Sequence, residues 1–218
     1  MRLGLGRPTS YAREDFVVSG CNATALNLLD AWPAWPGGRL ALVGPAGAGK
    51  THLARAWAAK VGAVVLGVGV TDVSLLRGRP VLLEDVDRCA ADDALFQIIN
   101  MADPGTTLLV TGRTEPTLWP ARLADMRSRL NALFVAKIEA PDDVVLSAVI
   151  VKLFRERNIR PSEDVLAYLL NRIERSIPAA REVVHRIDDV ADAERREITR
   201  VLARQILENE EKTLDLFE

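Results

Sequence analysis

The sequence predicts an α/β fold, a five-stranded parallel sheet covered by helices, followed by a small all-helical domain. Two observations carry this prediction. Up to about residue 140, short and nearly continuous apolar runs alternate with helical or turn-like stretches, the pattern of strands buried on both faces. Beyond that point no strand pattern recurs, and the apolar residues take helical spacing.

The elements follow in order. "NATALNLLDAW" (22–32) has helical spacing with Asn22 as its N-cap, and "PAWPGG" (33–38) reads as a stiff turn. The strands are "RLALV" (39–43), "AVVLGV" (63–68), "PVLLE" (80–84), "TTLLVT" (106–111) and "LFVAKI" (133–138). Pro141 and Asp142 then open the helical region, with helices in "DDVVLSAVIVKLFRERN", "SEDVLAYLLNRIER", "PAAREVVHRIDDVA" and "EITRVLARQILEN". Ser162 begins a capping pattern for the second of these. The chain thus divides into an N-terminal tail (1–15), an α/β domain (16–140), a helical domain (141–210) and a C-terminal tail (211–218).

Composition narrows the function classes. A chain of 218 residues with 49% hydrophobic content can bury one sizeable core with a small satellite. Its net charge of -2 supplies no general attraction to nucleic acid or an anionic membrane, so no strong direct nucleic-acid binding is expected. The most apolar run, "VGAVVLGVGV" (61–70), is far shorter than the roughly 20 residues of a membrane helix. The start shows no cleavable signal pattern. Cys21 and Cys89 have neither metal-ligand nor redox spacing and read as small buried fillers, which points to the reducing cytoplasm.

The chemistry concentrates at strand ends. "GPAGAGKT" matches G-x-x-x-x-G-K-[ST] with Gly44, Pro45, Ala46, Gly47, Ala48, Gly49, Lys50 and Thr51, directly after a buried strand and directly before a helix. In that context backbone N–H groups cradle phosphates, the lysine neutralises their charge, and the threonine hydroxyl reaches Mg2+. His52 follows as a packing or turn-positioning residue of the nucleotide-binding stretch rather than as a catalyst. The strand "VLLEDVD" ends in Glu84 and Asp85, where two carboxylates can hold Mg2+ and orient water against a γ-phosphate. Such ATPases usually carry aspartate first. The longer Glu84 therefore predicts weak intrinsic hydrolysis, with Thr51 and Glu84 as the expected metal ligands. Thr111 ends the next strand, with a hydroxyl in reach of the γ-phosphate or the attacking water. "MRSRL" places Arg127 and Arg129 on a short helix before the last strand, and Arg181 lies near the start of a later helix.

In this order the pieces resemble AAA+ ATPases, and "DFVVSGCNATAL", "GKTHL" and "RSRL" narrow the likeness to the replication-initiator (DnaA) branch over about residues 14 to 208. The resemblance implies that Arg129 is an arginine finger offered to a neighbour's ATP, Arg181 a second-sensor arginine for the chain's own phosphates, and Thr111 the first sensor. Only "GVTDVSLLRGR" lies between the second strand and the acidic one, leaving no room for an initiator's helical insertion, and no helix-turn-helix domain follows the fourth lid helix. The chain therefore looks like the Hda family of DnaA regulators. That likeness implies binding to the DNA-loaded DNA polymerase III sliding clamp, stimulated hydrolysis of ATP held by DnaA, and ADP or ATP with Mg2+ in its own site. A homodimer is compatible with it.

A clamp tether of the form Q-L-x-L-x-L has its apolar anchors in Met1, Leu3 and Leu5, although the glutamine would fall before residue 1. The tail "TLDLF" offers a second candidate in Leu214, Leu216 and Phe217, with Thr213 where the glutamine should be. Two other readings stay open, a nucleotide-switched adaptor or helicase-loader-like module acting by binding, and a self-contained ATPase motor, which Glu84 and the short middle segment disfavour.

Overall fold

The computed structural model describes residues 11–66, 76–88, 93–101, 106–121 and 123–214. Met1, Leu3, Leu5, Cys89, Leu216 and Phe217 lie outside the described residues, as does residues 67–75 of the short middle segment. The chain divides between Glu139 and Ala140 into two compact units.

The first unit is built on five parallel strands, β1 (Arg39–Val43), β2 (Val64–Leu66), β3 (Val81–Leu83), β4 (Leu108–Gly112) and β5 (Phe134–Lys137), in the order β2-β3-β4-β1-β5. Each falls within or overlaps the run that predicts it. β3 stops at Leu83 because Asp85, at φ 54°, turns the chain out of the sheet, and β4 runs on to Gly112 because that residue pairs with Val43. Alternate side chains separate the two faces. Ala41, Val43, Leu83 and Val110 pack with α3 (Asp93–Met101) and α4 (Ala124–Asn131) through Ile99, Met126 and Leu130. Leu40, Leu42, Leu82 and Leu109 pack with α1 (Ala23–Asp30) and α2 (Lys50–Val61) through Leu26, Leu29, Leu53 and Trp57. Burial on both faces explains why the strands read as continuous apolar runs.

Two local expectations need correction. Asn22 occupies the N-cap position of α1, yet its side chain makes no capping bond. Its amide oxygen accepts from the Ser19 N–H at 3.0 Å and its amide nitrogen donates to the Val17 carbonyl at 2.9 Å, so it ties down the segment that precedes the helix. Asparagine competes for nearby backbone in this way wherever the preceding chain folds back. Cys21 is half-buried rather than a buried filler, its Sγ 3.1 Å from Ser19 Oγ.

The second unit holds α5 (Asp143–Arg155), α6 (Glu163–Leu170), α7 (Ile177–Glu194) and α8 (Arg200–Leu214). Asp142, Ser162 and Ser176 cap the first three by accepting from the N–H groups of Val145, Val165 and Ala179. Leu146, Ile150, Phe154, Val165, Leu169, Val184, Ile187 and Leu202 form the core. Arg157 pairs with Asp188 at 3.1 Å and ties the end of α5 to α7. Leu214 is the last residue of α8. Among the described residues no helix is long and apolar enough to cross a membrane.

The packing of α5 sets a direct contrast. Phe154 is fully buried, so Phe154→Ala is expected to cost about 3–5 kcal/mol in urea denaturation. Val144 on the same helix is 59% exposed, and Val144→Ala should change stability by less than about 0.5 kcal/mol.

Candidate functional site

Because β3, β4, β1 and β5 are neighbours and parallel, their carboxyl ends lie side by side. The loop 44–49 leaves β1 at this edge and runs into α2. Its glycines are required by contact as well as by dihedral angle. The Gly44 N–H donates to the Gly112 carbonyl at 3.3 Å, and a Cβ on Gly44 would lie 2.3 Å from the Ile138 carbonyl oxygen. Gly49, at φ 98°, caps α2, and a Cβ there would come within 3.0 Å of the Phe16 ring. The backbone thus turns where no side chain fits, and the first-turn N–H groups of α2 are left for a ligand.

Lys50 is the first residue of α2 and only 8% exposed. Its Nζ donates to the carbonyls of Gly44 at 2.6 Å and Pro45 at 2.8 Å. Burial pushes this ammonium below the ordinary lysine value. The Asp85 and Asp87 carboxylates pull it back in part, and Arg113 adds to the lowering. Thr51 is exposed on the first turn of the helix. His52 turns to the N-terminal approach segment, its Nε2 2.8 Å from the Ala12 carbonyl and its ring against Tyr11 and Phe16.

The acidic residues are engaged in different ways. Glu84, just past β3, is half-buried, and its Oε2 accepts from Arg55 Nε at 2.6 Å and pairs with Arg55 Nη2. Asp85 is exposed, and its N–H donates to Thr111 Oγ1 at 3.0 Å. Thr111, 1% exposed, therefore joins the ends of β3 and β4. Asp87 accepts from the Arg113 N–H through Oδ2 at 2.9 Å, while its buried Oδ1 has no partner. Loop, lysine, threonines and acids are thus brought to one edge, a donor set that fits a polyphosphate. Among the described residues no three His, Cys, Asp or Glu side chains form a metal cluster.

The two arginines of α4 separate clearly. Arg127 braces the backbone, donating to the carbonyls of Pro116, Thr117 and Trp119. Arg129 is half-buried with its guanidinium over the Phe96 ring at 5.5 Å. Its buried Nε forms a long ion pair with Asp125 at 3.8 Å, too far for a hydrogen bond, and has no hydrogen-bond partner. Arg181 sits exposed near the start of α7 in the second unit.

Sequence reasoning missed Phe16, Arg55, Asp87 and Arg113. A signal existed for two of them. Arg55 falls four residues after Thr51, on the same helix face, and Asp87 falls two residues after Asp85.

No protein-family model matches the chain. The chromosomal replication initiator protein DnaA of Thermomicrobium roseum is 26% identical over 131 residues, 58% of this chain and 28% of that protein, so the chain spans little more than a quarter of the relative's length. Domain III of Thermotoga maritima DnaA has a TM-score of 0.73 at 18% identity, covering 93% of this chain and 98% of that one. A structure of the initiator DnaA bound to AMPPCP and single-stranded DNA has a TM-score of 0.64 at 17% identity, covering 85% and 68%. The Holliday junction branch migration motor RuvB of Thermotoga maritima has a TM-score of 0.61 at 18% identity, covering 78% and 61%. The chain has the fold of the AAA+ domain found in DnaA and RuvB, and over 131 residues its sequence is similar to that of a DnaA. The single-stranded DNA on the DnaA neighbour stands somewhat against the expectation of no strong direct nucleic-acid binding.

The lysine gives the site a pH signature. A bound polyphosphate favours the charged ammonium, whereas the ligand-free fold lowers its pKa below 10.5. ADP affinity should be full near neutral pH and fall as pH rises through the lowered Lys50 value, before 10.5 is reached. The ligand-free fold should gain stability in the same window, because an unfavourably buried charge is lost. Calorimetric ADP titrations and melting curves across that range measure both.

Proposed function

We propose that the chain regulates replication initiation by stimulating the hydrolysis of ATP held by DnaA, supplying Arg129 in trans while attached to the DNA-loaded DNA polymerase III sliding clamp. The observation that carries this reading is the contrast on α4. Arg127 is spent on backbone carbonyls, while the Arg129 guanidinium rests on Phe96, makes no hydrogen bond through Nε and has only the long 3.8 Å ion pair with Asp125, so its head group is weakly committed and available to another molecule's charge. A guanidinium presented to a γ-phosphate stabilises the charge that develops there during transfer.

In this reading the chain's own site binds ADP or ATP through residues 44–51, and Arg181 is assigned as the second-sensor arginine. Thr51 would be the protein group offered to a bound Mg2+, which would neutralise part of the phosphate charge. Sensing of water or the γ-phosphate is assigned to Asp85 and Thr111, and the pairing of Glu84 with Arg55 is in keeping with weak intrinsic hydrolysis. Attachment to the clamp is assigned to Met1, Leu3 and Leu5, with Leu214, Leu216 and Phe217 as the second candidate. The site of action is the cytoplasm.

A second reading, a nucleotide-switched adaptor that acts by binding, is favoured by the same Glu84 pairing and by the DnaA neighbour solved with single-stranded DNA. ATP turnover by purified DnaA, with this chain and with or without DNA-loaded clamp, separates the two. Stimulation is expected only with clamp, and Arg129→Ala should reduce it on the order of a thousandfold while leaving ADP affinity unchanged. An Arg129→Ala chain that inactivates DnaA as well as the parent does leaves only the adaptor, and tight binding of a single-stranded oligonucleotide at physiological salt would strengthen that alternative.

A further inference from the structure

We propose that Arg55 is a positioning residue that holds Glu84 away from the metal position, so that the site takes up nucleotide with little help from Mg2+. The inference rests on the reading of the loop as a nucleotide site, and adds a residue to it that no motif contains.

The first acid after the buried strand lies at the same sheet edge as the phosphate loop, where a short carboxylate would share a metal with the hydroxyl of Thr51. Glutamate reaches one methylene further. Its carboxylate meets Arg55, one helical turn beyond Thr51, whose Nε and Nη2 converge on the single oxygen Oε2. The Glu84 side chain is 15% exposed and that of Arg55 42%, so the carboxylate end of the pair is the shielded one. Charge-assisted hydrogen bonds of this kind are among the strong ones, and shielding from water strengthens them further.

Mg2+ demands near-octahedral geometry and gives up its waters reluctantly, so it needs carboxylates whose charge is not already neutralised. Delivering Glu84 to a metal would break the pair and leave a guanidinium beside a dication. Of the other two acids at this edge, Asp87 is held through Oδ2 by the Arg113 N–H, and Asp85 is exposed to solvent rather than shielded as Glu84 is. The consequence is a site in which the loop amides and Lys50 carry the nucleotide, while the acid that would recruit the metal is occupied by a side chain of the same helix.

The test is ADP affinity by calorimetry with Mg2+ and with EDTA, for the parent chain, Arg55→Gln, Arg55→Lys and the double variant Arg55→Gln with Glu84→Gln. In the parent the two affinities should be similar. In Arg55→Gln the advantage of Mg2+ over EDTA should grow by about tenfold, the scale of one charge-assisted contact. Arg55→Lys, which keeps the charge, should restore the parent ratio, and the double variant should lose the gain because the released carboxylate is gone. A lost fold would lower all ADP affinities together, whereas the proposal concerns their ratio. An unchanged ratio in Arg55→Gln, no rescue by lysine, or a gain that survives in the double variant overturns the proposal. Failure of the parent to bind ADP in either condition would instead overturn the nucleotide-site reading beneath it.

Discussion

Lys50 carries a charged ammonium into a place where little water reaches it, and the chain satisfies that charge with the carbonyls of Gly44 and Pro45. A buried cation is costly unless its surroundings compensate it, and here the compensation is built from backbone rather than from a bonded carboxylate pair. The loop must therefore pass close to its neighbours. Gly44 presses on the Ile138 carbonyl at the end of β5, and Gly49 on the Phe16 ring. His52 and Phe16 in turn fasten the N-terminal approach segment to α2, so the geometry around one lysine extends through much of the first unit.

The sheet makes this arrangement rigid. With β1 inserted between β4 and β5 and both faces buried, the strand ends cannot shift without disturbing two apolar cores. Charge at that edge is divided by residue. Lys50 is left to the loop, Glu84 to Arg55, Asp87 to the Arg113 backbone, and Asp85 is set by the hydrogen bond of its own N–H to Thr111. Such an edge is suited to holding phosphates and less suited to attacking them. That division is in keeping with the proposed function, in which the chain binds nucleotide itself and acts on nucleotide held by another protein.

Much of this was legible in the sequence because the strongest signals are local or periodic. The five strands, the glycine loop before α2 and the helical second unit all follow from apolar spacing and turn residues over short stretches. What escaped depends on pairs distant in sequence. Nothing local distinguishes Arg127 from Arg129. They differ only because the backbone of 116–119 folds under one of them and Phe96 lies under the other. The bond between Arg55 and Glu84 spans 29 positions, and the Asn22 side chain chose the backbone behind it over the helix ahead. Residue type alone set neither choice.

The central claim is that a phosphate-bearing nucleotide is held by the Lys50 loop. Calorimetric titration of ADP into the chain and into Lys50→Ala near neutral pH tests it most directly. The account predicts saturable one-site binding to the parent and a loss of at least about tenfold in affinity for the variant, the scale of one hydrogen-bonded charge. An ADP affinity that is the same in both proteins would contradict it.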